Sequence, residues 1–242
     1  MIGEIKMQYE GHKLRHEWKY YINYDTYYVL RDRLRQIIGP DENMHDENGY
    51  LISSIYFDDM YGTAMEEKTA GTRFRKKFRI RSYEYDPGLI RLECKSKFDE
   101  FIAKESAKLT QEEYYKILNG DYGFLISRPE KVCQELFMYH QTKFLKPQVT
   151  VEYRREAYVY PLGNVRITFD KDISAGTDTL DMFSEYYHTT KILDDDLMVL
   201  EVKYDDYLPA HIAKLLQIGM ADQCAISKYV MCREKQRMVK WL

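Results

Sequence analysis

The chain has 242 residues, 45% apolar and 31% charged, with a net charge of −3. This composition excludes a disordered or fibrous chain and gives no overall basicity to attract a polyanion, so any anion site must come from local clustering. The four cysteines form no CxxC pair or zinc-like spacing, no apolar leader precedes Arg15, and no stretch reaches about 18 apolar residues; the expectation is a single cytoplasmic domain over residues 1–242 with free thiols and no membrane span.

Periodicity sets the elements in chain order. Leu14 to Ile22 reads as a strand. Asp25 to Ile38 reads as a helix on the spacing of Tyr27, Leu30 and Leu34. Tyr50 to Phe57 is a strand and Gly62 to Thr69 a short helix. Arg73 to Glu84 and Leu89 to Lys97 are strands joined by the turn chemistry of Asp86-Pro87-Gly88, and Phe101 to Leu109 adds another. Thr110 and Glu113 form a capping-box pattern that starts a helix to Leu118. Ser127 to Glu130 repeats the signal for a helix to about Leu145. Strands follow at Val149 to Tyr160, Val165 to Lys171 and Leu197 to Tyr204, and helices at Pro209 to Ile218 and Ser227 to Val239. The class expected is α+β: a closed eight-stranded antiparallel β-barrel with flanking helices.

Side chains alternate between the faces of a strand. Arg73, Arg75, Lys77, Arg79 and Arg81 therefore share one face, opposite Phe74, Phe78 and Ile80. The partner strand repeats the pattern with Arg91, Glu93, Lys95 and Lys97, and the next with Lys104, Ser106 and Lys108. One such face is ordinary where a sheet meets water. Recurrence on several strands, with carboxylates in the minority, instead suits a multivalent anion held by Arg forks. Glu17 lies between Arg15 and Lys19, and Glu201 beside Lys203. Each is either half of a structural ion pair or a ligand for a divalent cation that travels with phosphate. Absence of GxxxxGK[ST], GxGxxG after a strand, HExxH and GxSxG excludes the common nucleotide, zinc-protease and hydrolase motifs.

The ordered set Arg15-His16-Glu17-Trp18-Lys19-Tyr20, Phe78-Arg79-Ile80-Arg81, Leu92-Glu93-Cys94-Lys95, Arg155-Glu156-Ala157-Tyr158, Val165 to Asp170, Leu200 to Tyr204 and Ser227-Lys228-Tyr229 resembles the VTC domain. This is the polyphosphate polymerase branch of the CYTH-like triphosphate tunnel metalloenzymes, and the resemblance runs from about residue 13 to 234. It implies transfer of the ATP γ-phosphate onto inorganic polyphosphate inside a basic tunnel, with Mn²⁺ or Mg²⁺. By position it implies Arg79, Arg81, Lys95 and Lys228 as catalytic cations. Lys19, Arg155, Arg166 and Lys203 would bind substrate, with Lys104 or Lys108 as a further ligand, and Glu201 with Glu17 would hold the metal.

Simple alternation places Arg155 with Val149, Val151 and Tyr153 on the outward face, so a bulge would be needed to turn it inward. The hydrolases and cyclases of the superfamily open with ExExK, and here Arg15 replaces the first Glu. A triphosphatase and a non-catalytic polyphosphate sensor are the alternatives. Nucleic acid is not expected, because Phe74 and Phe78 fall opposite the cations and could not stack bases beside them.

Overall fold

The computed structural model describes residues 8–9, 12–13, 15–98, 101–216 and 223–239. The chain order is β1 (Gln8–Tyr9), β2 (His12–Lys13), β3 (His16–Asn23), α1 (Tyr24–Arg35), β4 (Gly39–Pro40), β5 (Tyr50–Asp58), α2 (Thr63–Thr69) and β6 (Phe74–Tyr83). Then come β7 (Ile90–Phe98), β8 (Phe101–Leu109), α3 (Gln111–Leu118), a 3-10 turn (Gly123–Ser127), α4 (Lys131–Lys143) and β9 (Lys146–Tyr160). The chain continues with β10 (Val165–Gly176), β11 (Thr189–Lys191), β12 (Leu197–Tyr204), α5 (Ala210–Leu216) and α6 (Lys228–Val239).

The α+β class holds, but the expected closed eight-stranded barrel does not. The main sheet has ten strands: the antiparallel path β3-β12-β10-β9-β5-β6-β7-β8, with β4 paired to β9 and β11 to β10. Among the described residues, its ends, β3 and β8, are hydrogen-bonded as a single isolated bridge, Arg15–Ile102, beside a ring contact of His16 on β3 with Phe101 on β8. The register explains why. An antiparallel ladder continued from that bridge carries Ala103 and later residues of β8 toward residues before Arg15, where β2 lies, and away from β3. The sheet curls strongly without completing a ladder.

Local chemistry accounts for most boundaries. Asn23 caps α1 by accepting from the Thr26 N–H at 2.9 Å, and Thr110 with Glu113 forms the expected capping box on α3. The Ser127 start is displaced. Pro129 keeps Arg128 extended, Ser127 Oγ donates to the Phe124 carbonyl at 2.8 Å, and α4 begins at Lys131.

Three apolar clusters hold the curl. The outer faces of β6, β7 and β8 pack under α3 and α4 through Phe78, Ile80, Leu92 and Leu136. The outer faces of β10 and β12 pack under α1 and α5 through Leu30, Leu34, Phe169 and Leu200. The third cluster lies inside the curl. Val149, Val151 and Tyr153 of β9 meet Tyr229 and Cys232 of α6. Fully burying each aliphatic side chain contributes about 1.5–3 kcal/mol.

The inner face is thus part apolar, where α6 docks, and part cationic. Arg155 faces inward on the same side as Val149 and Val151, and the β9 pairing with β5 is continuous from Val149 to Arg155. No bulge on β9 turns Arg155 inward, and the register shift beside it lies on β10 between Lys171 and Ser174; the outward assignment was reversed because those valines are interior.

Candidate functional site

The curl encloses a cavity of about 1440 Å³. Sixteen Lys and Arg side chains line it against four Asp and Glu. On a chain of net charge −3, this is a strong segregation of charge. Antiparallel connection fixes which residues share an end. Lys68, Arg75 and Lys97 lie where β6 begins and β7 ends, beside the segment 223–226. Tyr50, Tyr83, Glu84, Leu89 and the loop carrying Asn43 and His45 lie at the opposite end of β5, β6 and β7. Gly49 makes that loop possible: its φ is +79°, and a Cβ there would stand 2.1 Å from the Arg155 carbonyl oxygen.

The central arginines are held from behind. Arg79 donates from Nε to Glu93 at 2.7 Å and from Nη1 to the Tyr56 hydroxyl at 2.9 Å. Arg81 donates from Nε to Ser54 Oγ at 3.2 Å and from Nη2 to the Tyr153 hydroxyl at 3.0 Å. Arg155 donates from Nε and Nη2 to Asp170 at 2.6 and 2.7 Å. A guanidinium has five N–H groups, so each keeps donors for the cavity while fixed protein acceptors set its plane. Burial would raise the Glu93 and Asp170 pKa values. Arg79, Arg81 and Lys104 around Glu93, and Arg155 with Lys228 around Asp170, outweigh that and hold both carboxylates below their usual range.

A second group crosses β3, β12 and β7. Lys19 Nζ lies 3.3 Å from Glu17 and 3.5 Å from Glu201, Lys95 donates to Glu17 at 2.8 Å, and Lys203 pairs with both carboxylates. Burial opposes ionisation of Glu17 and Glu201, but these ammoniums keep both carboxylates well below the usual range. The lysines diverge. Lys19 is raised, because two carboxylates overcome its burial. Lys95 falls to about 7, since burial and the neighbouring Lys19 and Lys203 exceed its attraction to a shared Glu17. Lys77 also falls to about 7, through burial and then Arg75, Lys95 and Lys19.

The geometry brings together nearly all the residues singled out in the sequence. Lys19, Arg79, Arg81, Lys95, Lys104, Arg155, Arg166, Lys203, Lys228, Glu17 and Glu201 all line the cavity. Arg166 stands toward the loop end, paired with Asp41 at 2.7 Å and Tyr50 at 2.9 Å. Lys104, though half-exposed, reaches Glu93 at 2.7 Å and lines the cavity, whereas Lys108 lies outside the lining. Arg15 is pinned at the cavity by Asp205 at 3.1 Å and the Asn164 carbonyl at 2.5 Å. Sequence reasoning missed Tyr56, Tyr153 and Asp170 as partners of the arginines. The signal available was their inward register: each sits on the strand position that faces the cations.

The VTC domain model matches residues 14–236. The chain belongs to the VTC domain family. This VTC domain carries a strongly basic interior. Solved structures similar to this VTC domain include PH1819 from Pyrococcus horikoshii OT3, at 13% identity and a TM-score of 0.49, covering 92% of this chain and 98% of that one. A candidate adenylate cyclase from Vibrio parahaemolyticus gives 14% identity and a TM-score of 0.46, with 90% and 97% covered. Another from Bacillus halodurans gives 14% and 0.48, with 84% and 86% covered. No curated protein matches the chain. Among the described residues, no helix is long and apolar enough to cross a membrane.

Proposed function

We propose that this VTC domain is a polyphosphate polymerase that transfers the γ-phosphate of ATP to a growing inorganic polyphosphate chain. The observation that carries the reading is the set of fixed arginines: Arg79, Arg81 and Arg155 each keep unused donors toward one cavity, with their planes set by protein acceptors. Donors fixed before the ligand arrives need no reorganisation as charge redistributes in the transition state.

In this step a terminal oxygen of the polyphosphate forms a bond to the γ-phosphorus, and the bond from that phosphorus to the β–γ bridging oxygen breaks. ADP leaves with the electron pair. The attacking oxygen is already anionic, so no general base is required. The chain's task is alignment and charge neutralisation by Arg79, Arg81, Arg155 and Lys228. Arg15 favours this over hydrolysis: where the hydrolases carry a carboxylate that could position water, this chain has a cation held by Asp205.

A divalent ion fits the donor set. Among the described residues, no group of three or more His, Cys, Asp and Glu could hold a metal by itself. Glu17 and Glu201 face the cavity, and the buried Thr168 hydroxyl, opposite Glu201 in the β10–β12 register, has no partner. Mg²⁺ or Mn²⁺ takes one or two carboxylates and completes its shell with phosphate oxygens and water. Glu201 with Glu17 would hold it, and it would neutralise phosphate charge.

Incubation with ATP and Mn²⁺, resolved by gel, should give a polyphosphate ladder. Orthophosphate release without chain growth would instead mark a triphosphatase. Arg79→Ala should cost on the order of 10²-fold or more in rate, by analogy with the loss of one fixed donor.

A further inference from the structure

Asp170 is completely buried (0% exposed) on β10. Its two oxygens take both N–H groups on one edge of Arg155, from β9, and Lys228 Nζ at 2.5 Å, from the first turn of α6. Tyr153 is 2% exposed and touches the same pair. Arg155 lies over its ring at 5.2 Å and Lys228 at 4.8 Å, while its hydroxyl accepts from Arg81 at 3.0 Å. Three cavity cations, from β6, β9 and α6, therefore converge on two side chains.

We propose that Asp170 and Tyr153 are positioning residues that set Arg81, Arg155 and Lys228 for phosphate; this rests on the cavity being a polyphosphate site. An alternative role for Asp170 is plain neutralisation of buried charge. The two roles predict opposite signs. Asp170→Asn is nearly isosteric and removes one negative charge from the wall of a polyanion site. If Asp170 only neutralises, the added positive field tightens polyanion binding. If it positions, the variant loses one acceptor and the fixed plane of Arg155, and binding weakens although the cavity becomes more positive. Tyr153→Phe leaves the charge untouched. It keeps the ring under Arg155 and Lys228 and removes only the acceptor for Arg81.

The test is titration calorimetry of the full chain with tripolyphosphate, with and without Mn²⁺, alongside ATP turnover. Asp170→Asn should weaken tripolyphosphate binding by about 10- to 100-fold, the range seen when a group that orients a ligand-binding residue is removed. Its kcat should fall by a larger factor than KM rises, because alignment counts most in the transition state. Tyr153→Phe should weaken binding less, and Tyr153→Leu, which also removes the ring, more than Tyr153→Phe. Equal or tighter binding by Asp170→Asn would overturn the proposal. Should that variant fail to fold, an unchanged affinity in Tyr153→Phe overturns it. A wild-type chain that binds tripolyphosphate while the variants match it sinks this inference alone; a wild-type chain that binds none sinks the cavity reading with it.

Discussion

Lys77 and Lys95 give the cavity a proton-dependent charge near neutrality. Both ammoniums sit at about 7 in the free protein, against an ordinary value of 10.5. A bound polyphosphate supplies anionic charge beside both lysines, a partner that Lys77 lacks among the described residues and that Lys95 has only in a Glu17 shared with Lys19 and Lys203, and restores the ordinary value. Binding therefore favours the protonated forms and takes up protons. Below pH 7 the free lysines are already charged, and the lysines add no pH dependence. Between pH 7 and 10.5 the free protein loses these charges while the complex keeps them, so affinity falls as pH rises. With one lysine moving from 7 to 10.5, the association constant drops about 50-fold between pH 7 and 9; two independent lysines would give on the order of 10³. Coupling between them brings the effect below the product.

The assay is calorimetric titration of tripolyphosphate at constant ionic strength in buffers of different ionisation enthalpy, which also counts the protons taken up. Lys77→Arg with Lys95→Arg should flatten the profile, since Arg stays charged throughout. The same linkage has a reverse sign in the empty protein. Between pH 7 and 10.5 the unfolded chain binds more protons at these lysines than the folded one, so their contribution to stability rises with pH. An affinity flat from pH 7 to 9, with no proton uptake, would refute the reasoning.

Glu93→Gln leaves Arg79, Arg81 and Lys104 without their buried carboxylate. It should cost about 3–5 kcal/mol in urea unfolding, with tripolyphosphate restoring more stability to the variant than to the wild-type chain. Glu201→Gln should abolish Mn²⁺-dependent turnover while metal-free tripolyphosphate binding, followed by calorimetry, is retained or tightened. Arg15→Glu restores the carboxylate of the hydrolase pattern, and the ratio of orthophosphate to polyphosphate from ATP should rise; an unchanged ratio would remove Arg15 from the account of specificity.

The strands and the face that most cations occupy were legible because alternation is a local property. Arg75 to Arg81 on β6 and Lys95 on β7 fall inward as their parity requires. Closure was not legible, because it depends on the register of β3 against β8, elements distant in sequence, and the Arg15–Ile102 bridge points that ladder toward β2. Arg155 was misassigned for a related reason. The apolar run Val149–Val151 resembles an outward core face until α6, which follows much later in the chain, is placed inside the curl. Lys104 and Lys108 share parity and are both exposed, and only the position along β8 lets Lys104 reach Glu93 at the cavity while Lys108 stays outside the lining.

The helix inside the curl carries a consequence for how the site comes into being. Lys228 and the anchoring ring of Tyr229 arrive on α6 after every strand of the sheet is in place along the chain. During synthesis every strand of the sheet is made before this helix. Until α6 docks, Val149 and Val151 face an open interior, and Arg155 and Asp170 lack the ammonium that joins them. A nascent or truncated chain ending before residue 223 would thus be both sticky and inert, and competence would be acquired in a single late docking step.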